Sequence, residues 1–168
     1  MLILAFDLAT NTGVAVGEAR AAPICMTERL GEAGSTHGAR FSRMLDLTAR
    51  LIERHKPEVI ALEAAIAGGV VGGAERSQLA MGLRASVLGV AHRKRVRVYE
   101  YPVAAIRKHF IGTAGLKRDV AKTRTIQRCH QLGIDVRNDN EADAVAAWHY
   151  CAAKLRLSRL PVAGGLGL

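Results

Sequence analysis

The 168-residue chain is 49% hydrophobic and sets 24 Lys and Arg against 15 Asp and Glu, a formal net charge of +9. That is enough apolar material to bury one core and too much for a disordered chain, and the positive excess points to a polyanion, nucleic acid before membrane. Three unevenly spaced cysteines (Cys25, Cys129, Cys151) argue against a disulfide framework or a zinc-ligand pattern, no apolar run is long enough to span a bilayer, and the strand-like start lacks a signal pattern, so a cytoplasmic protein is expected.

In chain order, Leu2 to Phe6 is a continuous apolar run that predicts a central strand covered on both faces. Asn11-Thr12-Gly13 supplies turn chemistry, and Val14 to Val16 predicts the returning strand of a hairpin. A third strand is expected within Ile24 to Leu30. Ser35-Thr36 can cap a helix with Phe41, Met44, Leu45, Thr48, Leu51 and Ile52 at helical spacing, and Pro57 stops it. Val59 to Leu62 predicts a second short buried strand, and the helix before it predicts a crossover that pairs it parallel with the first.

Gly68-Gly69-Val70-Val71-Gly72-Gly73 is a nearly side-chain-free segment. A helix follows with Leu79, Leu83, Val87 and Val90 on one face, closed by Arg93-Lys94-Arg95. Val96 to Tyr101 alternates as a fifth strand, Pro102 opens a short helix through Phe110, and a basic loop leads to a helix over Val120–Leu132 that ends at Gly133. The last helix is expected from Asn138 or Asp139, with Trp148 in the core and Asn138 and Glu141 at capping-box spacing. One α/β domain is expected over residues 1–157, a five-stranded mixed sheet flanked by helices, with a frayed tail over 158–168.

Three acidic residues stand in apolar settings. Asp7 closes the first strand, Glu63 closes the fourth, and Asp143 lies among alanines at the start of the last helix. Adjacent parallel strands would set Asp7 beside Glu63, and the helix start would deliver Asp143. Buried carboxylates need neutralising, and a divalent cation of the magnesium or manganese type does so. Carboxylates around a pair of cations are what two-metal phosphodiester hydrolysis requires.

The segments Phe6-Asp7-Leu8 with Thr12-Gly13, Ala61-Leu62-Glu63, and Glu141-Ala142-Asp143-Ala144 resemble the RuvC-type Holliday-junction resolvases of the ribonuclease-H-like nuclease superfamily. Gln78, Leu83, Arg84 and Gly89 are similar to that family's second helix. Tyr101-Pro102, Ile106-Arg107-Lys108, Gly112, Gly115 and Lys122 are similar to its basic stretch. The short chain and the Asn-Glu-Ala-Asp-Ala ending look more like phage or prophage members.

The resemblance implies a ribonuclease-H-like fold, a homodimer that could use the Leu79–Leu83 helix, four-way DNA as substrate, and two Mg²⁺ or Mn²⁺ ions at Asp7, Glu63 and Asp143. It also implies a fourth ligand three residues before the last Asp, where this chain has Asn140; Asp139 and Glu141 are the alternatives. Lys122 is the candidate to stabilise charge at the scissile phosphate. Arg76, Arg84, Arg107, Lys108, Lys117, Arg118, Lys122 and Arg124 are candidate DNA contacts. Where the family often carries an aromatic wedge, this chain offers only the aliphatic Ile66, Val70 or Val71.

Three other readings bear on function. The first is a nuclease for other branched DNA or for RNA. The second is a non-catalytic junction binder, suggested by Asn140. The third, an actin-like ATPase, lacks here the second lobe and the late Gly-rich segments it needs. Each signal also has a plain structural reading: strand-end capping for Asp7, helix-dipole complementation for Asp139 and Asp143, and a solvated face for the basic stretch.

Overall fold

In the computed structural model, which describes residues 1–64 and 73–157, the ten elements follow the expected order. They are β1 (Leu2–Asp7), β2 (Asn11–Glu18), β3 (Ile24–Arg29), α1 (His37–His55), β4 (Val59–Glu63), α2 (Ala74–Arg93), β5 (Arg97–Tyr101), α3 (Val103–Ile111), α4 (Arg118–Gln131) and α5 (Asp139–Leu157). The sheet order is β3-β2-β1-β4-β5. β1 pairs antiparallel with β2 and parallel with β4, and β4 pairs parallel with β5. The mixed five-stranded α/β sheet expected from the sequence is therefore present. Among the described residues no helix is long and apolar enough to cross a membrane.

Strand alternation divides the core into two layers. Leu4, Phe6, Ile60 and Leu62 pack with α1 and α2 residues such as Met44, Leu47, Leu83 and Val87. Ile3, Ala5, Val59 and Ala61 pack on the other face with Ile106, Phe110, Cys129, Val145 and Trp148. Trp148 is a core residue, and its indole N–H donates to the Gly17 carbonyl at 3.2 Å.

The hairpin differs from expectation. Asn11-Thr12-Gly13 lies within β2, and the turn falls at Leu8 to Thr10. Thr12 is fully buried and its hydroxyl donates to the Ala9 carbonyl at 2.7 Å, so it closes the turn from inside the strand. Asn-Thr-Gly reads as a turn by composition, but the β-branched Thr12 suits a strand, and its hydroxyl supplies the turn's hydrogen bond from there. Helix α4 also starts two residues earlier than expected, at Arg118. Ile66, Val70, Val71 and the tail over 158–168 lie outside the described residues.

Candidate active site

Period-two alternation aims the two strand-end carboxylates. Asp7 continues the Ile3-Ala5 face and Glu63 the Val59-Ala61 face, so both point toward α5. The parallel register runs from Ile3↔Val59 to Phe6↔Leu62, and one further step sets Asp7 beside Glu63. Asp143 comes from the second turn of α5, which packs against β1, β2 and β4.

Gly13, the partner of Asp7 across the hairpin, lets this helix approach. A Cβ on Gly13 would stand 1.9 Å from the Asn140 carbonyl oxygen, closer than any side-chain carbon can come. Here a glycine is required for close backbone approach rather than for a positive φ.

The start of α5 is fixed from its opposite face. Asn138 Oδ1 accepts the Glu141 N–H at 3.0 Å, which is half of the expected capping box. The other half is displaced by one residue, since Glu141 accepts the Arg137 N–H at 2.8 Å. Glu141 is 1% exposed and is held also by the Arg137 guanidinium and the Thr27 hydroxyl. It thereby anchors the start of the helix.

The electrostatics are those of a crowded anionic pocket. Burial raises the Asp7 carboxyl well above the usual carboxylate range, and Glu63, Asp143 and Asp139 push it further, with Lys122 opposing. Burial first, then Asp143, lifts Glu63 from 4.5 to about 7. Asp143 is raised by burial and Asp139, against Arg107, Lys122 and Arg118. Among the described residues no hydrogen bond or ion pair engages these three carboxylates.

Asp139 is different. It forms an ion pair with Lys122, whose hydrogen bond holds it below the usual range. The pair places Lys122 and Asp139 at the rim of the same cluster. Asn140 lies half-buried on the first turn, with its backbone against Gly13.

The donor set fits a hard divalent cation. Three oxygen donors with no other commitment repel one another, and no Cys or His competes among the groups that shift them. They are electrostatic neighbours rather than a closed shell, for among the described residues no three His, Cys, Asp or Glu side chains already stand in coordination geometry.

The raised carboxylates make a stability prediction. A carboxyl raised in the folded state favours folding fully below its unfolded value, and that contribution is lost as pH rises through the folded value. With Glu63 moving from 4.5 to about 7, the metal-free protein is expected to lose on the order of 2 kcal/mol across that window. Thermal unfolding in a chelator from pH 5 to 8 checks this, and Glu63→Gln is expected to flatten the slope.

The basic candidates divide into three groups. Arg107, Arg118 and Lys122 act electrostatically on the carboxylates. Lys108, Lys117, Arg124 and Arg76 are exposed without such coupling. Arg84 is drawn into a half-buried ion pair with Glu100, its Nε donating at 2.8 Å, and does not join the cluster. His109 and His149 contact each other at 3.0 Å, and Phe110 packs edge-on against His149.

Sequence reasoning missed the anchoring role of Arg137 and Thr27, residues with no motif of their own. It also missed the contact of Gly13 with α5, although the Thr-Gly signal had singled that glycine out.

No protein-family model matches the chain, and no curated protein matches it by sequence. Solved structures do. A Thermus thermophilus RuvC in complex with a Holliday junction substrate superposes with a TM-score of 0.75 at 20% identity, over 94% of this chain and 96% of that one. A second Thermus thermophilus RuvC structure gives 0.70 at 19% identity, over 95% and 98%. A yeast mitochondrial Holliday junction resolvase gives 0.59 at 16% identity, over 94% and 81%. The described residues therefore carry the mixed-sheet fold of the RuvC-type resolvases.

Proposed function

We propose that this chain is a divalent-metal-dependent endonuclease that resolves four-way DNA junctions. The observation that carries the reading is the convergence of Asp7, Glu63 and Asp143, three uncommitted and mutually repelling carboxylates, at one end of a RuvC-like sheet. Asp7, Glu63 and Asp143 would hold Mg²⁺ or Mn²⁺, two ions per site, with Asp139 or Asn140 completing the set. Metal bound there supplies Lewis acidity for activating a water and stabilising the leaving oxygen.

The chain's own residues do the rest. Lys122 and Arg107 bring positive charge to the edge of the carboxylate cluster, where a scissile phosphate would sit. Asp139 holds Lys122 in position through the ion pair. Arg76, Lys108, Lys117, Arg118 and Arg124 give the strand a sequence-independent track, consistent with the net charge of +9. Two copies of the chain, paired through α2, would cut two strands symmetrically.

Comparing cleavage of four-way junctions, flaps and linear duplexes tests the reading. Preferential paired nicking of the four-way junction supports it, and equal cutting of all three reassigns the protein to a general nuclease. Binding is expected to weaken steeply with salt, with a log–log slope of about −0.9 per phosphate neutralised. A flat salt response in a gel-shift or anisotropy titration would remove the basic stretch from the DNA track.

A second reading, a junction binder without cleavage, has one observation in its favour. The position three residues before Asp143 is the uncharged Asn140, and the nearby Asp139 is occupied by Lys122. Junction binding with no nicking at any Mg²⁺ or Mn²⁺ concentration would select it.

A further inference from the structure

A cleft of about 400 Å³ opens beside the β1–β2 turn, lined by Thr10, Asn11, Arg29, Gly31, Glu32 and Arg40 among others. It lies at the carboxylate end of the sheet. Asp7 pairs with Gly13, Gly13 with Thr27, and Asn11 with Arg29, so Arg29 is carried to the rim two strands from Asp7. At about 4.8 Å per strand across the sheet and about 3.4 Å per residue for the two positions from Thr27 to Arg29, Arg29 stands roughly 12 Å from Asp7, within a few nucleotides along a bound strand.

Arg40 is the informative residue. Its Nε is buried with no hydrogen-bond partner, and its side chain is wedged against Gly31, where a Cβ would come within 3.3 Å of Arg40 Cγ. A buried donor without a partner is costly, and no internal acceptor at Nε commits this guanidinium elsewhere. The first turn of α1, which carries Arg40, contains no acidic side chain to occupy it.

Arg29 is held from behind, its Nε donating to the Gly31 carbonyl at 3.2 Å. Its outer nitrogen meets Glu32 at 2.8 Å in an exposed pair, which solvent screens and a stronger anion can displace. Two arginines against one glutamate leave the cleft positive, and a guanidinium fork matches the paired oxygens of a phosphodiester.

We propose that this cleft is a phosphodiester subsite in which Arg40 and Arg29 grip the substrate strand a few nucleotides from the phosphate at Asp7 and Glu63. The assignment rests on the nuclease function proposed for the carboxylate cluster. Its occupant is the backbone of the cut strand rather than a free anion, because the cleft and the carboxylate cluster share one rim of the sheet.

The test is a methylphosphonate scan. Four-way junctions each carrying one neutral phosphate replacement are bound to the protein in a chelator, and affinities are read by anisotropy. One or two adjacent positions within a few nucleotides of the cut are expected to weaken binding about 5- to 10-fold. Arg40→Ala is expected to lose sensitivity at those positions alone, and Arg29→Ala at the same ones.

An unchanged pattern of sensitive positions in both variants overturns the subsite while leaving the nuclease function intact. So does a flat scan accompanied by stabilisation of the protein by millimolar inorganic phosphate, which would make the cleft a free-anion site. Wild-type protein that binds no DNA overturns both. Thermal unfolding of each variant separates a lost contact from a lost fold, and a folded variant of either arginine is enough to decide the matter.

Discussion

Asp7→Asn is expected to lower junction cleavage by at least about 10³-fold while leaving junction binding intact or tighter and raising the melting temperature of the metal-free protein. The loss follows because Asp7 is flanked by Glu63 and Asp143, and no other carboxylate stands at the end of the central strand. A factor of 10³ corresponds to about 4 kcal/mol of transition-state stabilisation, a reasonable size for removing one charged ligand from a two-metal site. The gain in stability follows because Asp7 ionises against burial and against three like charges, and an amide of the same shape relieves both. Binding improves because a phosphate no longer meets that carboxylate. Rates, affinities and melting curves on one preparation check all three, and a variant that loses binding or melts lower would mark Asp7 as structural.

Gly13→Ala is expected to have the next largest effect, for a steric reason. The added Cβ would stand 1.9 Å from the Asn140 carbonyl oxygen and 2.4 Å from its carbon, both backbone atoms of the helix that carries Asp143. No rotamer relieves such a clash; α5 or β2 must move. Overpacking of this kind costs about 1–3 kcal/mol. A displacement of even about 1 Å at Asp143 costs on the order of 10²-fold in rate. A melting temperature reduced modestly, with cleavage reduced far more, is the expected signature. Wild-type activity would show that α5 is not held by this contact.

Much of the arrangement was legible in the sequence because the central strands are covered on both faces. Leu2 to Phe6 and Val59 to Leu62 are uninterrupted apolar runs, so a carboxylate at the end of each stands out, and the intervening helix fixes their parallel pairing. The structure sets those two residues side by side and brings Asp143 to them.

What was not legible depends on long-range contacts. Asn11-Thr12-Gly13 has the composition of a turn, yet burial of Thr12 keeps it in the strand. Glu141, adjacent in sequence to the candidate ligands, is turned away because Thr27 and Arg137 satisfy it on the far side of the helix. Arg84 pairs with Glu100, a strand residue sixteen positions away, and no local motif announces that contact. Arg29 and Arg40 belong to no motif, and only folding brings them to one cleft.

The central claim is that Asp7, Glu63 and Asp143 form a metal centre, and calorimetric titration of Mn²⁺ into wild-type protein and Asp7→Asn tests it most directly. At pH 7, with Glu63 titrating at about 7, wild-type protein is expected to bind the ion and release a fraction of a proton, seen as a dependence of the heat on buffer ionisation enthalpy. Asp7→Asn is expected to bind markedly more weakly. Wild-type protein that takes up no Mn²⁺, or a variant that binds it equally well with the same proton release, would contradict the account.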